Sequence, residues 1–171
     1  MSFILAAAAV LVMVGIDQLV KYLAVTKLAP IGEYPLIEGV FKLSFVENRG
    51  AAFGLMQGFR WVFIVLTGVV LIALAVYFVK LPRTKETRLF RVMLTVLCAG
   101  ALGNFVDRVR QGYVVDMFYF HWFEFPVFNV ADILVVCSTI FLCIMILFPK
   151  TFKTDFVFPD EKKEAGHADT D

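Results

Sequence analysis

Between Arg60 and Lys80 the chain reads WVFIVLTGVVLIALAVYFV, nineteen residues from Trp61 to Val79 without a charge. As a helix rising about 1.5 Å per residue, this stretch spans roughly the 30 Å of a bilayer's hydrocarbon core. Trp61 and Tyr77 lie near its two ends, where interfacial aromatics are enriched. One such stretch makes a membrane segment, and three more lie around it. Phe3 to Ile16 is uncharged, and the apolar pattern resumes after Asp17-Gln18 from Leu19 to Val25. Val92 to Val106 is uncharged inside a segment running from about Arg88 to Arg108. The last starts near Asn129 and continues from Ile133 to Phe148, ending at Pro149-Lys150.

The expected fold is therefore an all-α integral membrane protein with four transmembrane helices, at about 3–25, 60–80, 88–108 and 129–149, forming one domain over residues 1–150. Composition agrees. The 171 residues are 60% hydrophobic and 18% charged, against about 45–50% and about 25% in a typical soluble domain. A net charge of +1 offers no basic field for nucleic acid. Met1-Ser2-Phe3 lacks the basic start of a cleaved signal peptide, and the Ala6 to Ala9 run lies inside the apolar stretch, so the first helix reads as retained. Cys98, Cys137 and Cys143 fall in apolar stretches and read as small hydrophobes. His121 and His167 have no metal-ligand spacing.

Lys80, Arg83, Lys85, Arg88 and Arg91 face a single acid, Glu86, in the second connection. That bias predicts a cytoplasmic loop, and with four spans both termini lie inside too. The tail, 151–171, reads as a solvated, disordered cytoplasmic segment. The connections at about 26–60 and 109–128 then face outward. Val40-Phe41-Lys42-Leu43-Ser44-Phe45-Val46 alternates imperfectly, which predicts a strand or hairpin arm in a small β-containing cap over the outer mouth of the bundle. Small residues in Arg49-Gly50-Ala51-Ala52-Phe53-Gly54 suit close backbone approach.

Polar residues inside this apolar chain converge on one depth. Counted from the cytoplasmic ends, Asp17, Asp107 and Asp132 lie at roughly 21, 22 and 24 Å. Asp116, a few residues beyond the third span, can fold back to that level. Asp17 and Lys21 share a helix face, as do Asn104 and Arg108, each pair four residues apart. Plain structural readings exist for each. Asn129 can be an N-cap, Asp17–Lys21 an ion pair, Asp107 a local partner of Arg108. Asp116 and Asp132 can be a loop acid and a helix-start acid favoured by the dipole. The alternative for these two is a carboxyl pair holding a water, one as general base and one as general acid. Acids at membrane depth are costly and mark function by default.

Five ordered blocks carry a resemblance: Asp17-Gln18-Leu19-Val20-Lys21; Glu47-Asn48-Arg49-Gly50-Ala51-Ala52-Phe53-Gly54; Gly100-Ala101-Leu102-Gly103-Asn104-Phe105-Val106-Asp107-Arg108; Gly112-Tyr113-Val114-Val115-Asp116; and Phe128-Asn129-Val130-Ala131-Asp132. Together they resemble the lipoprotein signal peptidases, signal peptidase II, over about residues 10 to 149. The resemblance implies an intramembrane aspartyl endopeptidase of the bacterial inner membrane that needs no metal or cofactor. Its substrates would be prolipoproteins carrying a diacylglyceryl-modified cysteine, cleaved just before that cysteine. It implies Asp116 and Asp132 as the catalytic pair, and Asn48, Asn104, Arg108 and Asn129 as substrate-binding residues. Asp17, Lys21, Gly103 and Ala131 would support them. It further implies contact with membrane lipid, inhibition by globomycin-type cyclic peptides, action as a monomer, and a site near the outer leaflet.

Other classes fit less well. A proton-coupled transporter would spread polar groups through the membrane depth. A metal-dependent lipid-phosphate enzyme would cluster its acids more densely. A structural subunit leaves the shared depth unexplained.

Overall fold

The computed structural model describes residues 1–50 and 59–157. Helix α1 (Phe3–Leu23) continues through a π-helical turn (Ala24–Leu28), and strands β1 (Glu33–Ile37) and β2 (Phe41–Asn48) follow. Then come α2 (Arg60–Lys80), α3 (Thr87–Arg110), β3 (Val114–Phe120), α4 (Val130–Leu147) and a short α5 (Pro149–Phe152). Four helices are thus long and apolar enough to cross a membrane, as the uncharged stretches predicted.

Helix α3 is the hub. It packs against α1, α2 and α4, and it buries residues along its length, among them Phe90, Leu94, Ala99, Gly100 and Gly103. By contrast α2 buries only Phe78, and Val65, Val69 and Ile72 are among its exposed apolar side chains. A helix apolar all round is stable only where lipid replaces water. Close approach of α4 depends on small residues: a Cβ at Gly100 would lie 2.6 Å from the Ala131 carbonyl oxygen.

Opposite the basic loop, the ends of α1, α3 and α4 meet a three-stranded antiparallel sheet in the order β1-β2-β3. Val46 pairs with Asp116, Glu47 with Val115 and Asn48 with Val114. Val115 and Met117 pack on Ala24 and Leu28 of the extended end of α1, which fixes the sheet to the bundle. Gly112, at φ 87°, takes the left-handed turn from α3 into β3.

The sheet is larger than the strand or hairpin arm expected around Val40 to Val46. Asp116 lies within a buried strand, not in a surface loop. In β3 the residues Val114 to Met117 are all buried, so the half-exposed alternation that betrays a strand is missing. The first helical segment also reaches Leu28, past the expected end at Val25. Beyond α5, Thr154 donates to the Met145 carbonyl at 2.8 Å, and Phe152 and Phe156 pack on the core at this end. Residues through Val157 are therefore folded against the bundle. The rest of the expected disordered tail, 158–171, lies outside the described residues, as do Ala51 to Gly54 of the small-residue run.

Candidate active site

Asn129 organises the site because the start of α4 needs it. Its side chain accepts the Asp132 N–H at 3.0 Å, while its own N–H donates to Asp132 Oδ2 at 3.1 Å. This reciprocal capping box satisfies donors that a helix start leaves open. The cap reading of Asn129 is thus correct, and it is incomplete. Asn129 Nδ2 also donates to Asp116 Oδ1 at 2.6 Å and to Asn104 Oδ1 at 3.2 Å. One side chain therefore touches β3, α3 and its own helix, and one residue contacts both carboxyls.

Each carboxyl has a second amide donor. Asn48 on β2 donates to Asp116 Oδ2 at 2.9 Å, and Asn104 on α3 donates to Asp132 Oδ1 at 2.7 Å. Asp116 is buried at 2% exposure, and Asp132 is half-buried. Burial, with the neighbouring Asp132 charge adding to it, pushes the Asp116 carboxyl up to about 7, against the opposing pull of the Asn48 and Asn129 amides and of Lys21. With a value near neutrality, the Asp116 carboxyl is available in both its protonated and its ionised form at physiological pH.

A buried ionic cluster supports the pair. Lys21 Nζ lies 2.9 Å from Asp17 Oδ2 and 2.9 Å from Asp107 Oδ2, and it donates to Asn104 Oδ1 at 2.8 Å. Asp17 accepts the Ala131 N–H at 2.9 Å, which ties α1 to the first turn of α4. Asp107 accepts the Val115 N–H at 3.2 Å, next to Asp116. Asp107 is therefore no local partner of Arg108; its charge belongs to Lys21. Gly103 and Ala131 give this cluster room, since a Cβ on Gly103 would lie 2.7 Å from Asp17 Oδ2 and 3.2 Å from the Ala131 methyl.

Arg108 reaches over the site from α3. It donates to the Gly50 carbonyl at 3.3 Å, and its guanidinium stacks 5.1 Å from the Phe63 ring centre. Asp17, Lys21, Asn48, Asn104, Arg108, Asp116, Asn129 and Asp132 thus come together at one end of the bundle, as the shared depth suggested. Gln18 was not singled out in the sequence. Its amide donates to Asp107 at 2.9 Å and to the Gly103 carbonyl at 3.3 Å. Its signal was available as a second polar residue beside Asp17 in an apolar helix. Arg60 caps the end of α3 through the Arg108 and Val109 carbonyls at 2.9 and 2.7 Å. Among the described residues no group of three or more His, Cys, Asp or Glu is arranged to hold a metal ion.

The family model described as signal peptidase (SPase) II matches residues 9–148. A lipoprotein signal peptidase of Clostridioides difficile strain 630 is 44% identical over 140 residues, covering 81% of this chain and 92% of that relative. One of Caldanaerobacter subterraneus subsp. tengcongensis is 48% identical over 135 residues, covering 79% and 90%. A bacterial membrane enzyme solved by the in meso method at 2.3 Å resolution superposes with a TM-score of 0.72 at 31% identity, covering 93% of both chains. A second membrane enzyme, solved at 1.9 Å, gives a TM-score of 0.71 at 34% identity, covering 85% of this chain and 93% of that one. With a site of paired carboxyls at one end of four apolar helices, and with sequence kinship along nearly its whole length, the chain belongs to the signal peptidase II family of membrane proteases.

Proposed function

We propose that this chain removes the signal peptide from diacylglyceryl-modified prolipoproteins, cleaving just before the lipidated cysteine, with Asp116 and Asp132 as an acid–base pair. The observation that carries the reading is the double grip of Asn129 on both carboxyls, with Asp116 pushed up to about 7 beside Asp132. One carboxylate takes a proton from a water held between the two, and the water oxygen adds to the scissile carbonyl carbon. The other, protonated, carboxyl gives its proton to the leaving amide nitrogen as the C–N bond breaks. Neither a covalent intermediate nor a metal is needed for this balance. Asn48 and Arg108 bind backbone carbonyls of the extended segment before the cysteine. Asn104 and Asn129 hold the carboxyls in place, and the Asp17–Lys21 cluster, with Gly103 and Ala131, holds the helices that carry them.

The enzyme would work as a monomer in the bacterial inner membrane, with the sheet and site near the outer leaflet and both termini in the cytoplasm. A lipidated cysteine sits at that level, with its acyl chains in the surrounding lipid. Globomycin-type cyclic peptides would compete for the same cleft. The test is cleavage of a diacylglyceryl-modified lipobox peptide, beside its unlipidated version, by purified wild type, Asp116→Asn and Asp132→Asn. Only wild type on the lipidated peptide is expected to cleave well, and cleavage should persist in EDTA. Normal processing by either Asn variant would overturn the assignment, and loss of activity in EDTA would favour a metal enzyme.

A further inference from the structure

The connection from β3 to α4 ends in an aromatic tip that the proposed chemistry does not use. Trp122 is 77% exposed, Phe123 54% and Phe125 44%, and Trp122 stands only eight residues before Val130, the first residue of a membrane-length helix. Below the tip, Ile133, Val136 and Ile140 form an exposed apolar stripe on α4, which is where lipid meets that helix. The tip is thus joined to a helix with an exposed apolar face by a connection of only a few residues. In water, so concentrated an aromatic patch is costly and marks an interaction surface.

The tip is also built to enter an interface. Three of its N–H groups are paired: Glu124 N–H donates to the His121 carbonyl at 3.3 Å, Phe125 N–H to the Phe120 carbonyl at 3.2 Å, and His121 N–H to the Val40 carbonyl at 2.9 Å. Peptide groups already paired can approach hydrocarbon at little cost. There is no lysine or arginine between Gln111 and Phe128, and Lys42 on the neighbouring strand is paired with Glu33 at 2.7 Å, so the tip offers anionic headgroups no unpaired cation of its own. Indole and phenyl rings prefer the boundary layer of a bilayer for themselves. Inward from the tip, ring contacts run from Trp122 to Phe123 (5.8 Å between centres), Phe125 (5.7 Å) and Phe128 (5.7 Å), and Phe128 adjoins Asn129.

We propose that Trp122, Phe123 and Phe125 form an interfacial anchor that inserts into the phospholipid leaflet at the site end of the bundle and, through the ring ladder to Phe128, sets the height of the carboxyls relative to the lipid. This rests on the four helices crossing the bilayer and not on the peptidase reading. The chain has two tryptophans, Trp61 and Trp122, so full-length Trp61→Phe carries Trp122 as its only indole. In phosphatidylcholine vesicles with acyl chains brominated near the glycerol, Trp122 emission should be blue-shifted and lose most of its intensity relative to unbrominated vesicles. The change should be the same at low and high salt. The reciprocal Trp122→Phe variant reports on Trp61 and checks that the helices are reconstituted. Absence of bromine quenching at Trp122 while Trp61 is quenched would overturn the anchor. Iodide then tells what covers the tip instead: quenching means water, and none means another part of the protein or a second copy.

Discussion

At Asp116 burial and the Asp132 charge push the carboxyl up, while two amide donors pull it down; burial wins, and the group titrates at about 7. The folded value lies above the unfolded one of 3.8, so between these pH values the folded protein keeps a proton that the unfolded chain gives up. Stability contributed by this group is therefore greatest at low pH, falls as pH rises through that window, and is fully lost above about 7. Thermal unfolding in detergent should show a midpoint that declines across the window. Asp116→Asn should flatten that decline, even though its amide cannot accept from both Asn48 and Asn129 and so loses about 1 kcal/mol of hydrogen bonding. An unchanged slope in the variant would show that Asp116 is not the group responsible. Asn48→Ala removes a donor that favours the ionised form, so the limb of the kcat/KM–pH profile set by Asp116 should move to higher pH. A limb that stays put, or moves down, would contradict the contact. At this scale much of the site was legible. An acid or amide inside an apolar run stands out in any sequence, which is why Asp17, Asn104, Asn129 and Asp132 could be singled out. Partners near in sequence could be read, as Asp17 with Lys21 four residues on; distant ones could not, and Asp107 pairs with Lys21, 86 positions away, not with its neighbour Arg108.

Helix α3 shows why the elements must meet so closely. Asn104 reaches Asp132 at 2.7 Å only because α4 crosses α3 at Gly100 and Gly103, where α3 has no side chain. Asp17 cannot yield to a methyl at Gly103, since its oxygens are held by Lys21 and by the Ala131 N–H. Gly103→Ala should therefore displace the start of α4, and a displacement of about 1 Å at a reacting centre costs on the order of 10²-fold in kcat. Gly15→Ala is the matched control. A Cβ there meets nothing within 4 Å, and the helix gains up to ~1 kcal/mol in propensity. Equal activity of the two variants in the peptide assay would show that close packing at Gly103 is not needed. The four helices were readable from uncharged length alone. Strand β3 was not, because it is buried at four consecutive residues, and because its pairing with β2 joins Asn48 to Val114 across the whole of α2 and α3. Local pattern holds no record of a partner so distant.

For the molecule as a whole, the proposed orientation rests on the distribution of charge. Lys80, Arg83, Lys85, Arg88 and Arg91 all lie at the end away from the sheet, and basic residues flanking membrane helices are retained on the cytoplasmic side. Arg91 is no free charge on that surface: it is buried and caps α2 by donating to the Phe78 and Leu81 carbonyls at 2.9 and 2.6 Å. Arg83, Lys85 and Arg88 are exposed and carry the bias. Two positions report the orientation. Glu38, in the β1–β2 turn, and Lys85, in the basic loop, are both exposed, and the native Cys98, Cys137 and Cys143 lie within α3 and α4, shielded by lipid from a charged reagent. In intact spheroplasts a membrane-impermeant maleimide should label Glu38→Cys at once and Lys85→Cys only after lysis. The opposite pattern would turn the bundle over and place the carboxyls at the cytoplasmic face. A lipidated cysteine presented at the outer leaflet could not then reach Asp116 and Asp132, so labelling of Lys85→Cys from outside would defeat the proposed cleavage as well as the topology.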